Sequence, residues 1–156
     1  MSSIRLPQIK IFLFISLLVV LSGCQHKDDD TDNIMIAVTN TYLQSAVNDI
    51  TVGGVDVFCL TPPGMCPGHF DMSPDQLRRL LNSDILFRFD FQAGLDNKLK
   101  RAEIPIVSIQ GLPGMCIPET YLQTSRQIFS HLAEHTLVNQ AVCRENLRHL
   151  EIKLDE

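Results

Sequence analysis

Two short stretches hold the residue types best suited to chemistry. The first, "TPPGMCPGHFD" (residues 61–71), sets Cys66 and His69 three residues apart between prolines and glycines. The second, "GLPGMCIPET" (residues 111–120), repeats Pro-Gly-Met-Cys and places Glu119 three residues after Cys116. Thiolate, imidazole and carboxylate are the usual ligands of zinc and related divalent ions. A three-residue step on a tight loop can aim two side chains at one point. The flanking Pro and Gly restrict the backbone, so little entropy is lost when a ligand is taken up. A disulfide between Cys66 and Cys116 is the competing chemistry, and outer compartments favour it. Spacing alone does not choose between the two, and His69 remains a ligand candidate under either.

Other candidates are weaker. His131 and His135 lie four apart in "HLAEH", with no third ligand in sequence, and read as exposed histidines. His26 and His149 read as tether and surface. Cys59 ends an apolar run and Cys143 sits on an apolar helical stripe, so both read as core thiols. Asp84, Asp90 and Asp96 are scattered and form no carboxylate pair. There is no G-x-G-x-x-G, phosphate loop, G-x-S-x-G or C-x-x-C motif and no nucleophile–base pair, so an enzyme is not expected.

The elements that must position these loops alternate. Residues 34–40, 55–60, 85–91 and 104–110 are short apolar runs rich in β-branched or aromatic residues, as in parallel strands buried on both faces. Between the first two, Leu43, Ala46, Val47 and Ile50 hold helical spacing. Ser73-Pro74-Asp75-Gln76 carries the signature of a capped helix start, with Leu77, Leu80 and Leu81 as its apolar stripe. Residues 95–102 suit a short helix. The pattern predicts an α/β fold: one lobe with a mostly parallel four-stranded sheet flanked by helices. Both Pro-Gly-Met-Cys loops directly follow strands. They should therefore meet at the carboxyl edge of the sheet, where such folds bind ligands. No Gly or Pro interrupts residues 121–156, which predicts a long helix, or two nearly collinear ones with Thr136 capping the second.

The amino terminus is a targeting segment. Arg5 and Lys10 precede an apolar run over residues 11–23, too short to span a bilayer comfortably. Leu21-Ser22-Gly23-Cys24 resembles a bacterial lipobox. That resemblance implies cleavage of residues 1–23 and acylation of Cys24, which holds the soluble part outside the cytoplasm on the periplasmic or extracellular face. Residues 24–33, with three consecutive aspartates, read as a polar tether. The whole chain has 13 basic and 18 acidic residues. Cleavage would take Arg5 and Lys10 and leave 11 basic residues, a net charge of −7. That balance argues against nucleic acid or anionic lipid as a partner. Residues 34–120 read as the lobe and 121–156 as a helix following it.

These residues together resemble the N-terminal lobe of the zinc/manganese solute-binding proteins of ABC transporters. The resemblance is carried by Pro62-Pro63-Gly64, His69, Ser73-Pro74, Leu77, Leu81, Asp84-Ile85-Leu86 and Gly94-Leu95, and it extends over residues 34–156. It implies that His69 is a metal ligand. It also implies that Glu119 stands where the family has a second histidine and Tyr121 where it has a tryptophan. The helix over 121–156 would be the backbone helix that joins the family's two lobes, the second lobe being absent. Cys66 and Cys116 would then supply the remaining ligands. The expected ligand is a divalent metal, zinc first, with manganese or another divalent ion as alternatives. The expected partners are an ABC permease, the membrane through the lipid anchor, and a separate C-terminal lobe or a second copy. Leu147, Leu150 and Leu154 would lack a cover, predicting dimerisation through that helix or fraying of it. Two other readings stay open: a truncated or split receptor lobe acting as an interaction or structural lipoprotein, and a thiol-based metal chaperone or redox protein.

Overall fold

A computed structural model describes residues 34–61, 64, 72–99 and 103–155. The signal segment, Cys24 and the tether lie outside the described residues. The strands are β1 (Met35–Val38), β2 (Asp56–Cys59), β3 (Ile85–Phe89) and β4 (Ile106–Ile109). Among the described residues, the helices are α1 (Thr41–Thr51), α2 (Pro74–Leu81), α3 (Gly94–Leu99), α4 (Pro118–Glu134) and α5 (Gln140–Asp155), with a 3-10 turn at Asp90–Gln92.

The four strands form one parallel sheet in the order β2-β1-β3-β4. β3 is buried at all five positions, as a central parallel strand must be. Its alternate residues feed two cores. Ile85, Phe87 and Phe89 join Ile36 and Val38 on one face, beneath Leu43, Val47 and Ile50 of α1, Ile128 and Leu132 of α4, and Cys143 of α5. Leu86 joins Ala37 and Phe58 on the other face, under Leu80 of α2 and Leu99 of α3. Right-handed crossovers explain this partition. The chain moves from β1 to β2 in one direction and from β2 to β3 and β3 to β4 in the other. The first crossover helix therefore lies on the opposite face from the next two. The strand-connection direction reverses between the neighbours β1 and β3.

Local chemistry fixes the elements. The Asp84 side chain accepts from the Met35 amide at 2.8 Å, and the Asp84 amide donates to the Met35 carbonyl at 2.8 Å, locking the starts of β1 and β3 together. Asn40 caps α1 by accepting from Leu43 N at 3.0 Å. Arg88, buried on β3, is held by two 2.6 Å bonds to Asp96 and a third to Ser108 Oγ at 3.0 Å.

Two expectations need correction. The helical run from 121 is neither one helix nor a collinear pair. Thr136 takes a left-handed backbone (φ 52°), which turns the chain without Gly or Pro. Asn139, not Thr136, caps the second helix by accepting from Ala141 N and Val142 N. Helix α5 then runs back along α4. Gln140 Nε2 donates to the Ala133 carbonyl at one end, and Arg126 pairs with Glu151 further along. Leu147 and Leu150 are thereby buried against Leu122, with Leu154 packed beside them, so their cover comes from the same chain. The second correction concerns α2. Only Leu80 of the expected stripe is buried, while Leu77 and Leu81 are 41% and 51% exposed. A helix of eight residues meets the sheet along one narrow line, and Leu80 occupies it.

Leu147→Ala should lower stability by about 2–5 kcal/mol, with a chemical-denaturation midpoint that does not move with protein concentration. Burial pushes the Cys143 thiol above its ordinary 9.0. Its contribution to stability is therefore complete below that value and lost as pH rises through the higher folded value. Thermal melts should show the domain weakening above about pH 9, with a shallower decline in Cys143→Ala.

Candidate metal centre

The loops leaving all four strands lie at one edge of the sheet, because the strands are parallel. Of the sequence candidates, Cys116 and Glu119 are described; Cys66 and His69 lie outside the described residues. The repeated Pro-Gly-Met-Cys is matched by a repeated backbone feature. Gly64 and Gly114 both take left-handed φ angles, 84° and 75°.

The second loop is built for close approach. The Gly111 amide donates to Asp90 Oδ1 at 3.1 Å, and a Cβ at Gly111 would meet the Phe91 ring at 2.7 Å. Gly114 opens a tight turn closed by Ile117 N donating to its carbonyl at 2.7 Å. Cys116 sits at the exposed corner of that turn with a free thiol. Pro118 then starts α4 at the position where a missing N–H costs nothing. Ile117 cannot cap the helix through its side chain, so the helix start facing the loop favours negative charge. Glu119 lies in this first turn. Its Oε1 accepts from Gln123 Nε2 at 3.2 Å and is 3.8 Å from Arg126. These are exposed contacts, worth at most about 1 kcal/mol. A divalent metal held by several protein ligands binds far more strongly than that, so Glu119 can be recruited cheaply.

The first loop is clamped at both ends by one residue. Gln76 Oε1 accepts from Ser73 N at 2.9 Å, completing the helix cap, while its Nε2 donates to the Leu60 carbonyl at 3.1 Å. The chain thus leaves β2 and enters α2 at fixed points. Cys59 does not face a ligand site: its thiol donates to the Thr61 carbonyl at 3.1 Å, and burial raises its pKa. His131 lies 3.4 Å from Glu134, and His135 ends α4; the structure does not make them a metal pair.

Three features of this edge were not legible as chemistry. Thr39 Oγ1 donates to Gln92 Oε1 at 2.7 Å between β1 and β3, where the connections reverse, and Gln92 Oε1 also accepts from Phe89 N. Tyr42 packs edge-on against Tyr121 at 5.3 Å between ring centroids. The Tyr121 hydroxyl donates to Asp49 at 2.7 Å, which pins the start of α4 to α1; burial first, then that bond and its charge, push the phenol far above its ordinary value. Asp90 is the hinge pin of the second loop, and its signal was only its place one residue after a strand. Among the described residues, no three His, Cys, Asp or Glu side chains converge on a metal position. Of the four candidate ligands, only Cys116 and Glu119 fall among the described residues.

Comparison with known proteins gives two findings. Residues 10–25 match the prokaryotic membrane lipoprotein lipid attachment site, so the chain is a lipoprotein anchored at the cell envelope. No helix among the described residues is long and apolar enough to cross a membrane. The fold matches solved metal-binding solute-binding proteins. ZnuA superimposes with a TM-score of 0.69 at 21% identity, covering 79% of this chain and 55% of ZnuA. A zinc-bound ZnuA deletion mutant gives 0.66 at 20%, covering 79% and 55%. The metal-dependent lipoprotein YcdH of Bacillus subtilis gives 0.64 at 14%, covering 79% and 52%. The chain thus has the fold of one lobe of these proteins and spans about half their length.

Gln76→Glu keeps the acceptor for Ser73 and removes the donor to Leu60. It should cost about 0.5–1.5 kcal/mol and speed amide exchange at Leu60 and Thr61, leaving Ser73 unchanged.

Proposed function

We propose that this lipoprotein captures a divalent metal ion outside the cytoplasm, zinc first, and hands it to an ABC permease. Cys66, His69, Cys116 and Glu119 are the ligands in this reading. The observation that carries it is the sheet polarity: the loop that holds Cys116 and Glu119 leaves the same edge as the loop that holds Cys66 and His69. Supporting it, the solved proteins with this fold include one bound to zinc and one, the solute-binding protein FpvC of P. aeruginosa, in complex with Ni2+. Two thiolates and an imidazole beside one carboxylate suit zinc better than manganese, which prefers oxygen. A binding role also accords with the exposed thiol and the lack of a nucleophile–base pair. The chain's own residues divide the work. The Gly114 turn and the Tyr121–Asp49 bond position Cys116 and Glu119, and the Gln76 clamp sets the ends of the loop carrying Cys66 and His69.

A second reading is favoured by one observation. The chain spans about half of the proteins it matches, so the lobe could act as one part of a split receptor, with a second polypeptide completing the site.

The test is zinc titration of residues 25–156, with free thiols counted before and after reduction. The reduced protein should bind one zinc tightly, with affinity falling at least about tenfold in His69→Ala and in Cys116→Ser. Unchanged affinity in the Cys66→Ser/Cys116→Ser double variant would remove the thiolates from the site. No binding in either redox state would select the split receptor.

A further inference from the structure

The edge of the sheet opposite the candidate metal loops carries a feature that metal capture does not use. At the amino ends of β1 and β2, an open cavity of about 390 Å³ lies between the α1–β2 turn and the α4–α5 turn. Its apolar lining comes from Ile34, Val52, Val55, Leu137, Val138 and Val142. Among the described residues, no acidic or basic side chain lines it. Two of these residues stand out from the surface. Val52 is 68% exposed and Val142 is 50% exposed.

Val52 is also strained. Its φ is 45°, a left-handed conformation that a β-branched side chain resists and glycine adopts freely. It closes α1 by donating its amide to the Asn48 carbonyl at 2.8 Å, a role glycine would fill at lower cost. The side chain is not repaid by burial within the lobe, since most of it meets solvent. Strain kept at an exposed apolar residue points to a contact outside the lobe.

Ile34, which lines this cavity, is ten residues from Cys24, inside the segment that matches a lipid attachment site. Ten residues reach at most about 35 Å when fully extended. The cavity mouth is thus tied by a short leash to the bilayer that holds the lipid. Such a leash gives the lobe a high effective concentration at the membrane, so a small apolar contact suffices where free association would fail.

We propose that this amino-end face is a lipid-surface docking site, with Val52 and Val142 dipping into the interface. Docked this way, the lobe holds its carboxyl-edge loops away from the anchoring membrane, so delivery to a permease in that membrane requires release from the docked state. The inference rests on acylation of Cys24, not on which metal binds.

The chain contains no tryptophan, so single probes are available. Val142→Trp and, independently, Val52→Trp would be made in the full acylated lipoprotein and reconstituted into phosphatidylcholine vesicles containing brominated lipid. Phe91→Trp, 66% exposed on the opposite edge, is the reference. Vesicle flotation establishes anchoring first. Quenching at positions 142 and 52 should exceed that at 91 at least threefold. Equal quenching at all three positions would overturn the proposal. So would a blue shift at 142 and 52 that follows protein concentration without lipid quenching, which would assign the face to a second copy. Failure to float would overturn the anchoring on which the inference rests.

Discussion

Four residues, Met35–Val38, carry the geometry of the lobe. β1 hydrogen-bonds to β2 on one side and β3 on the other, and both pairings are parallel. Every crossover helix is therefore placed relative to this strand. Shifting it by one residue would exchange Ile36 and Val38 with Ala37 between the two cores, which differ in the size of the side chains they accept. The reciprocal bonds between Met35 and Asp84 set that register at the start of the strand. Polarity follows from the same arrangement. Parallel strands send every exit loop to one edge, so two cysteine loops fifty residues apart in sequence leave the sheet on the same side.

Loop control is assigned to single side chains with two functions. Gln76 completes a helix cap and holds the last residue before the first loop. Asp90 Oδ1 accepts from Phe91 N and from Gly111 N, binding the exit of β3 to the exit of β4. Tyr121 reaches across to Asp49 from the helix that follows the second loop. Each contact is modest alone. Together they restrict the backbone on either side of the candidate ligands, which would reduce the entropy lost if a metal were to draw them together.

The strands were legible because buried parallel strands are written as short unbroken apolar runs, as in "ILFRF" of β3. The capped start of α2 was legible because Ser73, Pro74 and Gln76 act locally. What escaped was tertiary. The turn at Thr136 carries no Gly or Pro, and nothing in its neighbours announces a left-handed residue. The packing of Leu147 and Leu150 on Leu122 depends on that turn, so a run of helical spacing read as an uncovered stripe. Asp90 looked isolated because its partner, Gly111, is 21 residues away. Thr39 and Gln92 meet only once the strand order is known. On the site, residue types and spacing identified Cys116 and Glu119 as candidates. That Glu119 begins from surface contacts with Gln123 and Arg126 depends on how the helix packs, which its spacing in sequence does not record.

The reversal between α4 and α5 decides where the two ends of the folded chain emerge. Helix α4 descends from the candidate loops, and α5, sixteen residues and about 24 Å long, climbs back alongside it. The carboxyl terminus is thus returned toward the candidate loops, while Ile34 enters at the far edge. For anyone handling the protein this polarity is practical. A polyhistidine extension at the carboxyl terminus would bring its imidazoles toward the end of the sheet that carries Cys116 and Glu119, where they would compete with them for an added metal. The same extension in place of the signal segment would enter from the opposite side of the sheet.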